Sequence, residues 1–277
     1  MKYFLAVLLF ATELHAAPLT ITPNGSSASL VTAGIPFAAC ALRDTANFKL
    51  LNENDEEVAI FIKPTLLWPD SRCDGAATIR AVKIQFAYDP EQGEATYDWE
   101  LAPRTLPDLQ EAPVAEVAPE NSARAGYMEP AFFAINDPAY LVTTGLISPT
   151  TVAGKNDYDS DWYPEAFKKR VRTIDFEKTV GENWLFDSVS AIYQQALRTG
   201  SLEQYREAYL EHEFYMGNFE VTDVANVGRW KLAKGDPKYV YLTPMKLHLA
   251  LTGDDSWTPQ ENGVPHATAI NREAFIK

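Results

Sequence analysis

The chain has 277 residues, with 24 Lys and Arg against 38 Asp and Glu, for a formal net charge of -14. Such an excess of acid excludes general nucleic-acid binding, which needs a basic footprint, and any polyanion must be held by a local gathering of cations. No segment approaches the roughly 20 apolar residues that a membrane helix requires, so no membrane span is expected.

Lys2, the apolar run Tyr3 to Phe10 and the small-residue stretch ELHAAP read as an export signal over residues 1–16, cleaved after Ala16. A secreted or periplasmic protein is therefore expected. From Leu19 to about Glu100 the pattern is β. LTITP, SASLVTAGIPF, FKLLN, EVAIFIKPTLLW and ATIRAVKIQFAY are short β-branched or aromatic runs, bounded by the turn-forming PNG, NENDEE, PDSRCDG and DPEQG. Residues 17–100 are expected to form a β-sandwich-like or barrel-like domain. In TIRAVKIQF the apolar residues Ile79, Ala81 (or Val82), Ile84 and Phe86 roughly alternate with polar ones, which predicts a half-buried strand. Cys40 and Cys73 are the only cysteines, and in an oxidising compartment they are candidates for one disulfide; the other reading is two ordinary buried thiols.

Residues 101–125 carry four prolines and few large hydrophobes, so 101–182 is expected to be a linker followed by a mixed β and irregular region. After Glu182 the period becomes helical. In NWLFDSVSAIYQQALRTG, Leu185, Val189, Ile192 and Ala196 share one face; Gly200 supplies the stop, and Ser201 with Gln204 forms a capping box for the next helix. YQQALRTGSLEQ (193–204) is echoed by KLHLALTGDDSW (246–257), the Thr-Gly pairs lying 53 residues apart, as in a stacked array of helical pairs. The expected fold is thus multi-domain α+β: a β-sandwich-like domain, then helical hairpins over 183–277.

The stretch AGIPFAACALRDTANFKLLNENDEEVAIFIKPTLLWPD, followed by TIRAVKIQF, resembles the N-terminal β-domain of exo-rhamnogalacturonan-lyase-like proteins. AIYQQALRTGSLEQYREAYLEHEFY is similar to the opening of the (α/α) toroid found in that group and in many polysaccharide lyases. The likeness implies a secreted enzyme that cleaves an acidic polysaccharide (ulvan, alginate or a pectin-type glycan). Two features depart from it. Extra residues, including Cys73, stand between Asp70 and the next strand, and the 95 residues from Asn183 are too few to close a toroid. The toroid is therefore expected to be incomplete, or completed by a companion chain.

β-Elimination needs a cation to neutralise the uronate carboxylate, a base for the weakly acidic C5 proton and an acid for the leaving oxygen. GRWKLAKGDPKYVYLTPMK, 228–246, offers these parts in one place: five Lys and Arg against the single acid Asp236. Here Arg229 is read as the carboxylate fork, Tyr239 and Tyr241 as acid/base candidates, and Trp230, Lys231 and Lys238 as substrate-binding. The plainer reading makes the lysines a solvated face and KYVYL core. His212 and His248 are further catalytic candidates, although a lone His on an apolar face is more often a core residue, and no His-Glu-x-x-His spacing is present. A second basic run, KKRVR at 168–172, reads as surface. Asp157, Asp159 and Asp161 alternate as in a Ca²⁺ loop but lack its Gly and closing Glu, so no cofactor is expected, a Ca²⁺ ion at this loop being the alternative. The competing functions are a non-catalytic carbohydrate-binding module and a glycoside hydrolase using two carboxylates.

Overall fold

The computed structural model describes residues 17–25, 27–69, 72–118, 128–147, 187–216, 219–221, 230–232, 241, 243–255, 260–261 and 264–265. In chain order the strands are β1 (Leu19–Pro23), β2 (Leu30–Pro36), β3 (Lys49–Leu51), β4 (Glu57–Val58), β5 (Phe61–Trp68), β6 (Thr78–Ala87), β7 (Ala95–Glu100), β8 (Glu116–Val117), β9 (Glu129–Pro130) and β10 (Phe132–Asn136). They are followed by helices α1 (Pro138–Thr143), α2 (Ser188–Thr199) and α3 (Leu202–Met216), the hairpin β11 (Phe219–Val221) and β12 (Trp230–Leu232), helix α4 (Thr243–Thr252), and the short pair β13 (Gln260–Glu261) and β14 (Val264–Pro265). The class is mixed α+β with antiparallel sheets.

Two sheets make the core. One has five strands in the order β10-β1-β7-β3-β4, the other three in the order β2-β6-β5. Leu19, Ile21, Leu50 and Trp99 from the first sheet and Val31, Ile35, Val82, Ile84 and Phe86 from the second form a single buried cluster, so the sheets face one another across it. Phe37, Phe48 and Trp99 fill its centre with ring centroids 5.5 to 5.9 Å apart. The sheet does not stop near residue 100. Its edge strand β10 comes from residues 132–136, paired with β1 from Leu19↔Asn136 to Pro23↔Phe132.

Helices cover the outer face of the three-stranded sheet. Leu66 of β5 and Ala81 of β6 share a second apolar cluster with Val189, Ile192, Tyr193, Tyr209, Leu249 and Leu251. This corrects the half-buried reading of TIRAVKIQF. Val82, Ile84 and Phe86 enter the inter-sheet core, while the intervening Lys83 and Gln85 are also buried. Gln85 donates to Thr32 Oγ1 at 3.0 Å and to the Ala112 carbonyl at 2.8 Å. Alternation survives in the strand because its second face packs on protein through polar groups that are paired.

Both Thr-Gly signals end helices. Gly200 (φ 63) and Gly253 (φ 66) take the left-handed cap conformation, and their N–H groups reach back to the carbonyls of Ala196 and Leu249. Ser201 Oγ accepts from Gln204 N at 3.4 Å, one half of the expected capping box. The other half is relayed through Thr199, whose Oγ1 accepts from Ser201 N and donates to Gln204 Oε1. The two ends then diverge. Gly200 opens straight into α3, whereas after Gly253 the chain enters the core through Asp254 and Asp255, both 2% exposed.

The end of α4 touches β2 backbone to backbone. A Cβ on Gly34 would meet the Ala250 carbonyl oxygen at 2.4 Å, and one on Gly253 would meet that of Ala33 at 2.6 Å. The glycine of AGIPF is thus required by a helix lying on the strand. Asp255 fixes the same junction: its carboxylate receives Lys63 at 2.7 Å and Lys83 at 2.9 Å, and both lysines also reach Glu111. Cys40 and Cys73 are joined in a disulfide, with Cα atoms 5.5 Å apart.

Candidate functional site

Arg229, Lys238 and Tyr239 lie outside the described residues, as do Asp157, Asp159, Asp161 and the KKRVR run. The backbone of Trp230 and Lys231 belongs to β12, opposite Val221 and Glu220 of β11. Tyr241 is half-buried, and its N–H donates to the Tyr215 hydroxyl at 2.7 Å. Against this scatter, His212 of α3 and His248 of α4 are brought together, both with 0% exposure. Their rings stack with centroids 3.7 Å apart and planes 8° from parallel.

The cluster around the two histidines is polar and layered. His212 Nδ1 lies 3.3 Å from Glu213 Oε1, and His248 Nε2 lies 4.0 Å from the same oxygen and 3.8 Å from Asp254 Oδ2. On its other side His248 Nδ1 meets the Tyr193 hydroxyl at 2.6 Å, and Tyr209 donates to Asp254 Oδ2 at 3.1 Å. Burial drives His212 down to about 3 against the pull of Asp254. Burial and the neighbouring His212 drive His248 down to about 4, so both imidazoles are uncharged at neutral pH. Burial pushes Glu213 up to about 7, with Asp254 adding to it and His248 opposing. Burial also raises Glu116, which feels the charges of Asp254 and Glu213.

A second constellation lies at the end of the three-stranded sheet. Trp68 closes β5, and its indole N–H donates to the Phe37 carbonyl at 3.0 Å, which fixes the ring. Trp68 pairs with Thr78 of β6, so Arg80 sits diagonally across from the ring on the same face. The Arg80 guanidinium carbon is 4.5 Å from the ring centroid, and that of Arg72 is 5.3 Å away. Burial, then the charge of Arg72, hold Arg80 below its ordinary value; burial, then the charge of Arg80, do the same to Lys246 near the start of α4. Among the described residues no carboxylate pairs with Arg72, Arg80 or Lys246, whereas Lys49, Lys63, Lys83, Arg104 and Arg206 all have one. Two guanidinium groups therefore converge beside one indole, with Arg72 exposed at the surface, and Lys246 lies close enough to Arg80 to feel its charge.

Trp68, Arg72 and Arg80 carry no local signal of a role in the sequence. They stand in LWPDSRCDGAATIR, where the basic spacing is irregular and the disulfide folds the loop back. Lys246 was legible as the last cation of the basic island. Glu213 follows His212 directly, but its second histidine neighbour, His248, lies 35 residues further on, too far for a local motif. No protein-family model, no curated protein and no solved structure matches this chain.

Proposed function

We propose that this protein acts on an acidic, uronate-containing polysaccharide, as a lyase working by β-elimination. The observation that carries the reading is the convergence of Arg72 and Arg80 beside Trp68, with Lys246 near Arg80, and with no carboxylate partner for the three among the described residues. In a chain of net charge -14, so concentrated an unneutralised cation cluster suits an anionic ligand. Stacking on a fixed indole restrains the guanidinium planes, which then grip a carboxylate by their forked N–H groups at low entropic cost.

The chemistry follows from that grip. Two guanidinium groups on the uronate carboxylate spread the charge that develops when the C5 proton leaves, and Lys246 is the amine placed to accept that proton. The electron pair from the C5–H bond becomes the C4=C5 double bond, the C4–O bond breaks, and the departing oxygen takes a proton from an acid or from water. The α2–α3 hairpin and α4 are read as part of a helical array, incomplete or finished by a companion chain. The export signal read over residues 1–16 supports a location outside the cytoplasm, where such polysaccharides are met.

The test is to incubate the purified protein with a panel of uronate polysaccharides and follow the absorbance of the unsaturated product. A rise that disappears in Arg80→Ala and Lys246→Ala is expected; no rise with any substrate, using folded protein, sinks the reading. One observation favours a second reading. Lys246 and His248 are two residues apart on α4, hence about 200° around the helix, so the cations and the Tyr–His–carboxylate cluster face different ways. A non-catalytic glycan-binding module would carry the cations alone. It would be retained on an acidic-polysaccharide gel without forming product, while a hydrolase would release reducing sugar without the chromophore.

A further inference from the structure

We propose that His212, Glu213 and His248 form a binding site for one divalent transition-metal ion of the zinc class, tying α3 to α4. The site lies on the side of α4 away from the cation cluster and does not depend on the polysaccharide reading.

The donor set selects the ion. Two imidazole nitrogens and one carboxylate oxygen suit zinc and its first-row neighbours, whereas calcium and magnesium prefer cages of oxygen. The spacing is close to what such an ion imposes. Zinc bonds of about 2.0–2.1 Å in a tetrahedral arrangement put ligand atoms about 3.4 Å apart. Here one atom from each of the three residues lies within 4.8 Å of the others, with the two distances to Glu213 Oε1 at 3.3 and 4.0 Å. Side-chain rotations that draw the widest pair in from 4.8 Å to about 3.4 Å would close the shell. Asp254 Oδ2 lies 3.8 Å from His248 Nε2 but is not one of the three clustered ligands, so the fourth position is left to water.

The surroundings are those of a ligand shell. The Tyr193 hydroxyl at His248 Nδ1 can accept that ring's N–H, which leaves Nε2 with its lone pair toward Glu213 and Asp254. Hydrogen bonding at the non-ligating nitrogen is how metal-bound histidines are normally oriented. Tyr209 donates to Asp254 beside it. Two stacked, fully buried imidazoles between packed helices are a poor substitute for an apolar pair, whereas parallel rings presenting nitrogens to one carboxylate are productive for a shared ion. Glu213, with a quarter of its side chain exposed, brings the cluster to the solvent edge, and Glu116 and Asp254 lie close enough to it to couple electrostatically.

The full chain, stripped with a chelator and dialysed, is titrated with Zn²⁺ by equilibrium dialysis and with Co²⁺ by visible absorption. One saturable equivalent is expected, with a Co²⁺ ligand-field band of low-symmetry coordination and a melting temperature that climbs with Zn²⁺ concentration. Glu213→Gln and His248→Asn should each weaken binding at least a hundredfold. Tyr193→Phe should weaken it ten- to a hundredfold while keeping one equivalent. Arg80→Ala, across α4, should bind the ion as the parent does. Circular dichroism identifies any variant that fails to fold, and Glu213→Gln, at the partly exposed edge, keeps the test decisive if His248→Asn does. Absence of saturable binding in the parent overturns the proposal, and so does parent-like affinity in Glu213→Gln, which would put the ion elsewhere. Retention on an acidic-polysaccharide gel, measured on the same samples, fails with Arg80→Ala and not with Glu213→Gln if the two sites are separate.

Discussion

Replacing Gly34 with alanine tests the contact on which both constellations depend. The added methyl would lie 2.4 Å from the Ala250 oxygen and 2.7 Å from the carbonyl carbons of Ala250 and Leu251, against ordinary contacts of 3.4 Å and beyond. These are backbone atoms of a helix, so no side-chain rotation relieves the clash. Nor can β2 back away freely, since Asn136 donates to the Gly34 carbonyl at 3.1 Å and the strand is paired with β6 throughout. The end of α4 must retreat by about 1 Å. A gap of that size forfeits a quarter to a half of the dispersion contacts of the side chains beneath it, and Leu249, Ala250 and Leu251 are all 0% exposed. With each large side chain contributing about 1.5–3 kcal/mol by burial, and with strain added, the cost should be about 3–5 kcal/mol. Gly253→Ala should be as severe, because it combines a left-handed φ of 66 with a methyl 2.6 Å from the Ala33 oxygen. Gly200→Ala is the internal control: its φ is 63, but its nearest obstacle is Pro138 Cγ at 3.4 Å, so conformational strain alone, about 1–2 kcal/mol, remains. Urea unfolding monitored by circular dichroism gives the three midpoints. A Gly34→Ala protein no less stable than Gly200→Ala would refute the close-approach argument.

Other consequences are open to measurement. Replacing Cys40 and Cys73 by serine should cost about 3–4 kcal/mol, the loop-closure entropy of a 33-residue separation, and should loosen Arg72 next to Cys73 so that polyanion retention weakens as well. Unchanged unfolding and unchanged elution would count against both halves of that statement. Arg80→Ala removes a charge-assisted grip worth about 1.5–3 kcal/mol, so affinity for a uronate oligomer should fall roughly ten- to a hundredfold, with a shallower salt dependence. Lys49→Ala, whose amine pairs with Glu100 at 2.8 Å, should leave affinity alone; equal losses in the two variants would mean diffuse attraction only. The buried ion cluster predicts the pH profile of stability. Burial alone would raise Glu111, but its bonds to Lys63 and Lys83 outweigh this and hold it below 4.5; burial would lower Lys83, but Asp255 and Glu111 hold it above 10.5. A depressed carboxylate stabilises above its unfolded value and loses that contribution as pH falls through the folded one. A raised lysine stabilises below its unfolded value and loses it as pH climbs through the folded one. The urea midpoint should therefore be flat between these limits and decline on the acid side less steeply in Glu111→Gln; identical acid limbs in the two proteins would contradict the assignment.

Local signals in the sequence carried a good deal of this architecture. Turn chemistry located β1, β2, β3 and β6, and the single run EVAIFIKPTLLW that splits into β4 and β5, because each run is short and bounded by residues that favour tight turns. β7 lay within the β region without a run of its own. Thr199-Gly200 and Thr252-Gly253 were legible as helix ends since glycine tolerates the left-handed cap. Long-range information was not. Nothing local tells β10, beyond a proline-rich crossing, that it will join the sheet at β1. Nothing in TIRAVKIQF says that the face bearing Lys83 and Gln85 will be covered, because their burial depends on Glu111, Ala112 and Asp255, far along the chain. The basic island was conspicuous as a run, yet the cations seen to converge are drawn from the loop at Arg72, from β6 and from α4. His212 and His248 were picked out singly, and their pairing with Glu213 arises only when α3 lies against α4.

Helix α4 emerges as the shared support. Its opening turns carry Lys246 toward Arg80 on the sheet, its middle carries His248 toward α3, and its end is pinned by Gly253 against β2 and by Asp255 between two lysines. A buried ion pair of this kind contributes little net stability, because desolvation offsets much of the attraction, yet leaving one member unpaired is costly. Such a cluster is therefore better suited to fixing position than to adding strength. It penalises any rotation or slide of α4 that separates Asp255 from Lys63 and Lys83. A one-residue slip would turn the helix by about 100°, taking Lys246 from Arg80 and His248 from Glu213 together. Placement of both constellations thus reduces to the register of one ten-residue helix, which the sheet reads through two glycines and two lysines.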